Sequence, residues 1–207
     1  MPAPRSRGRF LVLDGLDGCG KSTQAARLVE ALARRDAPPP LHLREPGSTA
    51  AGERIRALLL DPEPALTPAT QALLFAAARR QLLEECVVPA LADGRDVVCE
   101  RFHASTVAYQ GAALGLGEER VLALLVEWAG TPAPDRYLIL DLEPGQAHGR
   151  RGRSDRFESE DRAFHARVAE SYRRYAARVP GAVLVDARGS VEEVAARVWR
   201  EVQHAGR

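Results

Sequence analysis

The chain has 207 residues, a length typical of one domain with a substantial buried core. Apolar residues make up 45% of the chain, which excludes disorder as a description of the whole. The net charge is +1, from 29 basic and 28 acidic residues, whereas a dedicated nucleic-acid binder is usually more basic. No apolar run approaches the ~18 residues of a membrane-spanning helix. We therefore expect neither a nucleic-acid polymer nor a membrane as partner.

The N-terminal segment and the cysteines indicate the cellular compartment in which we expect the protein. Met1–Gly8 is basic and contains proline, and the apolar run after it is short, so we expect a loose tail and not a signal peptide. The three cysteines, Cys19, Cys86 and Cys99, are odd in number and widely spaced, with no C-x-x-C pair. This pattern argues against zinc and against a disulfide framework, and it favours thiols in a reducing cytoplasm.

Short apolar runs alternate with amphipathic helical stretches along the chain. Continuously apolar runs are typical of parallel strands buried on both faces, and they are Phe10–Leu13, Leu41–Arg44, Asp96–Cys99, Tyr137–Asp141 and Val183–Asp186. The stretches with helical spacing are Lys21–Arg34, Ala51–Leu60, Pro68–Ala92, Glu118–Gly130, Asp161–Arg178 and Val191–His204. The alternation predicts a doubly wound α/β sheet in a single domain over residues 1–207.

Particular residues mark where these helices begin or break. Thr67 followed by Pro68 is typical of an N-cap and a first helical position. Ser190 and Glu193 have the spacing of a capping box ahead of the last helix. Pro89 lies inside the third predicted helix, where it should kink or end it.

A glycine-rich stretch between the first strand and the first helix fits the pattern G-x-x-x-x-G-K-[ST]. Its residues are Gly15, Leu16, Asp17, Gly18, Cys19, Gly20, Lys21 and Ser22, followed by Thr23. Glycines allow successive backbone N–H groups to turn around phosphate oxygens, and the helix N-terminus adds partial positive charge. Lys21 would reach the β- and γ-phosphates, and Ser22 would hold Mg²⁺. The stretch therefore predicts a nucleoside triphosphate site.

The phosphate loop alone does not name the reaction, because GTPases, motors and small-molecule kinases share it. A guanine-reading N-K-x-D stretch is absent, and the chain is too short for a motor and lacks a second acidic pair after a strand. Transfer of the terminal phosphate to a small second substrate is the reaction that the pattern favours.

Five motifs in order resemble those of bacterial thymidylate kinases. They are Phe10–Gln24, Arg44–Thr49 (R-E-P-G-S-T), Leu74–Arg79 (L-F-A-A-A-R), Glu100–Gly111 (E-R-F-H-A-S-T-V-A-Y-Q-G) and Asp155–Glu158 (D-R-F-E). The resemblance spans about residues 9–200. It implies a three-layer nucleoside-monophosphate-kinase fold with a five-stranded parallel sheet. It also implies transfer of the γ-phosphate of ATP, with Mg²⁺, to dTMP in dTTP biosynthesis, by a cytoplasmic homodimer.

The resemblance also assigns residues to the acceptor nucleotide. Asp17 would bind the sugar 3′-hydroxyl, Arg101 the acceptor phosphate, and Phe75 and Arg79 the thymine ring and its carbonyl oxygen. Residues of the helix after the third strand would line the nucleoside pocket, and they are Ser105, Thr106, Tyr109 and Gln110. Tyr109 would crowd the 2′ position of the sugar. From the residues alone, alternatives stay open: Asp17 as a loop-capping carboxylate, Phe75 and Arg79 as a core stripe, and Tyr109 as a half-buried helix residue.

A run of arginines follows the fourth predicted strand. Its members are Arg150, Arg151, Arg153 and Arg156, within a lid that we expect at residues 150–158. A run of charges is usually a solvated loop, but in a kinase mobile arginines can neutralise charge during transfer. Some thymidylate kinases carry this arginine in the phosphate loop, where this chain has Gly18. By the resemblance, Arg150 stacks on adenine, and Arg151 or Arg153 contacts the transferred phosphate.

Two residues depart from the family pattern. Glu100 stands where an aspartate is usual, and as a metal-positioning group its extra methylene would shift the carboxylate by more than about 1 Å, enough to affect rate. Ser48 replaces a glycine at a position that would need a positive φ. Two other interpretations stay open: a kinase of another nucleotide or nucleoside, and a nucleotide-binding regulatory module without catalysis, which Glu100 and a lid about two residues shorter than usual would favour.

Overall fold

A five-stranded parallel sheet forms the centre of the fold. The structure is a computed structural model that describes residues 7–35, 37–63, 65–148 and 161–204. The strands are β1 (Phe10–Gly15), β2 (Leu41–Arg44), β3 (Val97–Glu100), β4 (Arg136–Asp141) and β5 (Ala182–Asp186), in the order β2-β3-β1-β4-β5. All neighbouring pairs are parallel. The predicted α/β class and the number of strands are confirmed.

Helices connect successive strands and cover the sheet. They are α1 (Lys21–Ala33), α2 (Ala50–Leu60), α3 (Pro68–Leu82), α4 (Val88–Ala92), α5 (His103–Thr106), α6 (Glu118–Ala129), α7 (Pro144–His148), α8 (Arg162–Arg178) and α9 (Val191–His204). Two π-helical segments lie between them, Leu83–Val87 between α3 and α4, and Val107–Ala113 after α5. In the part of the chain that the structure describes, no helix is long and apolar enough to cross a membrane.

Alternate residues of β1, β3 and β4 supply two separate cores, which makes the fold three-layered. In β1, Phe10 and Val12 join the core under α3, α6 and α8, whereas Leu11 and Leu13 join the core under α1 and α9. Because side chains alternate across a strand, a sheet with both faces buried requires apolar residues at consecutive positions. This requirement explains the continuous apolar runs that predicted the strands.

The capping predictions are confirmed, whereas the predicted end of the helix at Pro89 is wrong. Ser190 N–H donates to Glu193 Oε2 at 2.8 Å and Glu193 N–H to Ser190 Oγ at 3.2 Å, which completes the capping box. Pro89 does not end the long helical stretch, which continues to Ala92. The hydrogen-bond pattern instead widens to a π-helical segment over Leu83–Val87, directly before the α4 residues that contain the proline. Prolines and π-helical turns are both known causes of helix bends.

We expect Thr67→Ala to lower the free energy of unfolding by about 1 kcal/mol, since the hydroxyl caps α3. Thr67 Oγ1 accepts from Thr70 N–H at 3.2 Å, and Pro68 follows as the first helical residue. Urea unfolding checks the value. Thr67→Ser is the matched control, because it keeps the oxygen and should lose less than half as much; equal losses would contradict a capping role.

Candidate active site

The phosphate loop leads from the end of β1 to the start of α1. Gly15, Gly18 and Gly20 have φ values of 133°, 81° and 97°, which favour glycine. A Cβ on Gly15 would lie 2.6 Å from the carbonyl oxygen of Leu140, so β4 leaves no room for a side chain there. The N-cap residue of α1 is Gly20, and no side chain caps this end. The first-turn N–H groups of α1 are therefore available to an anion.

Lys21 is held against the loop. Its ammonium donates to the carbonyl oxygens of Gly15 and Leu16 at 3.0 and 2.7 Å, and it lies 3.7 Å from Asp17 Oδ1. Only 8% of the residue is exposed. An ammonium that bonds neutral carbonyls can exchange them for phosphate oxygens, which are stronger acceptors because they are charged.

Ser22 and Glu100 meet beside the loop. Ser22 Oγ donates to Glu100 Oε2 at 2.5 Å, and His42 Nε2 lies 3.0 Å from Glu100 Oε1. A hydroxyl and a carboxylate are oxygen ligands of the kind that Mg²⁺ prefers, and this ion needs only one or two such groups besides substrate phosphates. The pair thus fits the predicted ion. No group of three His, Cys, Asp or Glu side chains suited to a metal occurs among the described residues.

The cleft around the loop, here called the donor cleft, also includes residues that the sequence analysis did not select. Ala187, Gly189, Ser190 and Val191 line it opposite Gly18–Gln24. Gln24 Nε2 donates to the carbonyl oxygen of Val191 at 3.0 Å, which ties α1 to this segment. The segment follows β5, and the carboxyl ends of parallel strands are where such sheets bind ligands. This rule could have identified the segment after β5 from the sequence.

The residues assigned to the nucleoside share a second cavity, here called the acceptor pocket. Phe75 and Arg79 line it from α3, and Ser105, Thr106, Tyr109 and Gln110 line it from the segment after β3. Gln110 is 1% exposed and donates to Gln71 Oε1 at 3.0 Å. All six predicted side chains are thus brought together, although they come from positions up to 35 residues apart in the chain.

Asp17 and Arg101 form an ion pair at the mouth of the acceptor pocket. Tyr109 Oη donates to the other carboxylate oxygen of Asp17 at 2.9 Å, and Arg101 Cζ lies 5.6 Å from the centre of the Tyr109 ring. Burial alone would raise the pKa of Asp17, but the charges of Arg101 and Lys21 outweigh it and lower the pKa well below its usual range. Asp17 is therefore ionised at neutral pH.

Arg101 is held in a conformation that most residues avoid. Its φ is 66°, in the left-handed region, and its backbone N–H donates to the carbonyl oxygen of Leu13 at 2.8 Å. Arg101 Nη1 donates to Ser105 Oγ at 2.9 Å. Left-handed non-glycine residues concentrate at functional sites, where the surrounding structure holds them in place.

A buried carboxylate that the sequence analysis missed lies behind this pair. Asp14 is fully buried and accepts from the N–H groups of Gly15, Phe102 and Ser105 at 2.9, 3.1 and 3.1 Å. It also accepts from the hydroxyls of Ser105 and Tyr172 at 2.6 and 2.8 Å. Ser105 thus links Asp14 to Arg101, which makes Ser105 a support of the arginine as well as a pocket residue. Local spacing gives no signal for Asp14, because its distant partners lie just after β3, on α5 and on α8.

The donor cleft and the acceptor pocket share one boundary. Asp17, Glu45, Arg56 and Arg101 line both cavities. Arg56, on α2, is a second residue that the sequence analysis missed, and its guanidinium donates to the carbonyl oxygen of Pro46 at 3.0 Å. Two cationic groups at the boundary suit a place where two phosphate-bearing molecules meet.

Two further predictions concern residues near the loop and in the lid. Ser48 has the positive φ that its position suggested, 64°, and its N–H donates to Glu53 Oε1 at 2.8 Å. The expected lid at 150–158, with Arg150, Arg151, Arg153 and Arg156, lies outside the described residues, as does most of the expected N-terminal tail.

Comparison with known proteins agrees with this geometry. A family model described as thymidylate kinase matches residues 13–198. A thymidylate kinase of Rhizorhabdus wittichii is 44% identical over 92% of this chain and 95% of that protein. One of Alkalilimnicola ehrlichii is 47% identical over 91% and 89%. The crystal structure of thymidylate kinase from Ehrlichia chaffeensis matches with a TM-score of 0.78, at 26% identity, over 95% of this chain and 99% of that one.

Proposed function

This chain belongs to the thymidylate kinase family, and we propose that it transfers the γ-phosphate of ATP to dTMP, giving dTDP and ADP for dTTP biosynthesis. The observation that carries the proposal is the shared boundary of the donor cleft and the acceptor pocket at Asp17, Glu45, Arg56 and Arg101. A kinase must hold two phosphates in line, and most of its rate comes from positioning and charge neutralisation.

The donor phosphates bind the loop through backbone and ammonium groups. The loop residues from Gly15 to Thr23, which include Leu16 and Cys19, surround the ATP phosphates, and the N–H groups at the start of α1 point toward them. Lys21 exchanges its bonds to Gly15 and Leu16 for the β- and γ-phosphate oxygens. These contacts cost little reorganisation, because the glycines already have the required φ values.

The acceptor binds on the other side of the boundary. Arg101 donates to the dTMP phosphate with its planar fork, while Asp17 accepts from the sugar 3′-hydroxyl. Tyr109, which donates to Asp17 at 2.9 Å, fills the space where a 2′-hydroxyl would lie. Phe75 stacks on the base, Arg79 reads its carbonyl oxygen, and Thr106 and Gln110 complete the wall.

Mg²⁺, when bound, supplies positive charge to the phosphates. Ser22 and Glu100 would hold it, and His42 orients the Glu100 carboxylate through its second oxygen. The Glu100 carboxylate thus contacts both Ser22 and His42, and the side-chain length of glutamate suits these two contacts. The surrounding residues therefore accommodate glutamate where the family usually has aspartate.

We expect Glu100→Asp to raise the Mg²⁺ concentration for half-maximal rate about tenfold, as loss of an outer partner does at metal sites. The shorter side chain cannot contact both Ser22 and His42. Initial rates across a Mg²⁺ titration at saturating ATP and dTMP check this. Glu192→Asp, which shortens an exposed carboxylate paired with Arg27, should leave the titration unchanged. An unchanged midpoint in Glu100→Asp would contradict the role.

We assign the remaining charge neutralisation to the lid at 150–158 of the single kinase domain. Gly18 has φ 81°, so an arginine at this point of the loop would be strained, and the cation must come from elsewhere. Arg151 or Arg153 is the candidate for the transferred phosphate and Arg150 for adenine. The assignment rests on the resemblance of that segment and on Gly18.

The proposal is tested by a coupled assay of ADP release with purified protein and a panel of nucleoside monophosphates. Turnover should require ATP and Mg²⁺ and should be highest with dTMP. Equal or higher turnover with dCMP, AMP or GMP would show that dTMP is not the preferred acceptor. ATP binding without transfer to any monophosphate would favour the regulatory module.

We further propose a homodimer in the cytoplasm. Exposed apolar residues lie on α3 and on the two helices that pack against it: Leu73 on α3, Leu58 on α2 and Val126 on α6, with exposures of 57%, 38% and 58%. Exposed apolar surface of this kind is typical of an interface between subunits. Free thiols at Cys19, Cys86 and Cys99 suit a reducing compartment. Sedimentation equilibrium distinguishes the dimer from a monomer, which would contradict it.

A further inference from the structure

Arg79 is a fully buried cation whose orientation is determined on three sides. Its Nε donates to Glu45 Oε2 at 2.6 Å, and its Nη2 donates to Thr106 Oγ1 at 3.2 Å. Its Cζ lies 4.9 Å from the centre of the Phe102 ring. Only 1% of Arg79 is exposed, and it lines the acceptor pocket. A guanidinium held this way has one orientation, which suits recognition of a single atom.

Nη1 is the nitrogen of Arg79 that takes part in none of these contacts. It is buried and has no hydrogen-bond partner among the described residues. A buried donor without a partner is energetically costly, so such a group in a ligand pocket indicates an acceptor supplied by the ligand. A carbonyl oxygen at position 4 of a pyrimidine is such an acceptor, whereas an amino group there would bring two donors together.

Glu45 determines where that nitrogen lies. Its backbone N–H donates to the carbonyl oxygen of Glu100 at 2.9 Å, so Glu45 extends the pairing of β2 with β3. The carboxylate is therefore attached to the sheet and reaches Arg79 on α3 from there. Rotation of the guanidinium about its long side chain would break the bond from Nε, and Nη1 would then leave its position.

We propose that Glu45 is a positioning residue that orients Arg79, and that it thereby determines the preference for 4-keto over 4-amino pyrimidines. The inference rests on the proposed function, since it concerns the base of the acceptor. A buried ion pair is seldom a net source of stability, which favours a role in orientation. Burial raises the pKa of Glu45 to about 7 against the opposing charge of Arg79, so the carboxylate is in a costly environment.

The test compares two acceptors that differ at position 4 of the base and in the proton that N3 carries only in the 4-keto form. dTMP carries a carbonyl at position 4, and 5-methyl-dCMP carries an amino group, while methyl, sugar and phosphate are identical. In Glu45→Gln, the ratio of kcat/KM for dTMP to that for 5-methyl-dCMP should fall about tenfold or more, because a polar discrimination is lost. The KM for dTMP should rise more than kcat falls, since the reacting phosphates are not touched.

Glu53→Gln is the matched control. Glu53 is an exposed carboxylate on α2 that accepts hydrogen bonds from Arg44 and Ser48, two residues of the same 44–49 segment as Glu45. It should leave the ratio unchanged. Thermal unfolding of each variant verifies folding. If Glu45→Gln does not fold, Glu45→Asp serves instead, because it keeps the charge but is too short to reach Nε, and it should lower the ratio in the same direction.

Different results would overturn the proposed function and the role of Glu45. If the wild-type protein does not phosphorylate dTMP, the proposed function fails and the inference with it. If the wild-type protein prefers dTMP and the folded Glu45 variants lose activity on both acceptors equally, the function stands. Glu45 would then be only structural, and the inference is wrong.

Discussion

Replacing Arg101 by lysine is expected to lower kcat/KM for dTMP by about 10²–10³-fold, the usual effect of removing one donor to a transition-state oxyanion. Arginine presents a planar fork to phosphate, and lysine presents a single point charge. Arg101 Nη1 is bound to Ser105, which is itself bound to the buried carboxylate of Asp14. The guanidinium is thus oriented before substrate arrives, and an ammonium cannot make the same set of bonds.

The substitution isolates geometry from charge. Lysine keeps a cation beside Asp17, so the carboxylate is not left unpaired, and it has the same steric preference at φ 66°. Steady-state kinetics with dTMP varied at saturating ATP measure the effect. Arg80→Lys changes an exposed arginine on α3 that pairs with Glu84, and it should stay within about twofold of wild type. A loss of less than tenfold in Arg101→Lys would contradict the assignment of Arg101 to the acceptor phosphate.

Lys21→Met is expected to lower the rate of phosphate transfer by about 10³-fold, because the ammonium stabilises charge that moves from the γ- to the β-phosphate. Methionine has a similar length and no charge, so the loop keeps its side-chain volume. The ammonium contacts Gly15 and Leu16, and only 8% of the residue is exposed. Single-turnover rates at saturating ATP report the transfer step directly.

ATP binding should weaken much less than transfer does. The backbone N–H groups and the α1 N-terminus remain, so equilibrium binding of a fluorescent ATP analogue should weaken by about 10- to 150-fold at most, the worth of one charge-assisted hydrogen bond. Arg27→Met removes an exposed cation from the same helix, where it pairs with Glu192, and should change neither quantity. If binding and transfer fall together, Lys21 holds ground state and transition state equally.

Local patterns in the sequence predicted the elements and the phosphate loop. Strands such as β1 could be predicted because burial on both faces requires consecutive apolar residues. Gly15, Gly20 and Lys21 act within a few residues of one another, so their spacing carries their geometry. The resemblance added the acceptor side, and Phe75, Arg79 and Tyr109 do line one pocket.

The contacts that complete the site depend on packing between distant segments. Glu45 and Arg79 are 34 residues apart, and His42 and Glu100 are 58 apart. Asp14 meets Tyr172 across 158 residues. No local period encodes such pairs, because they form only once β2 and β3 are in register and α3 and α8 lie on the same face of the sheet.

The phosphate loop, the strand and helix pattern and the resemblance to thymidylate kinases were thus determined by the sequence itself, since each is carried by neighbouring residues. The tertiary structure decided which buried carboxylate supports which arginine: Asp14 behind Arg101 and Glu45 behind Arg79. Burying a charge is costly unless a partner lies within hydrogen-bond distance, and only the folded chain brings those partners together.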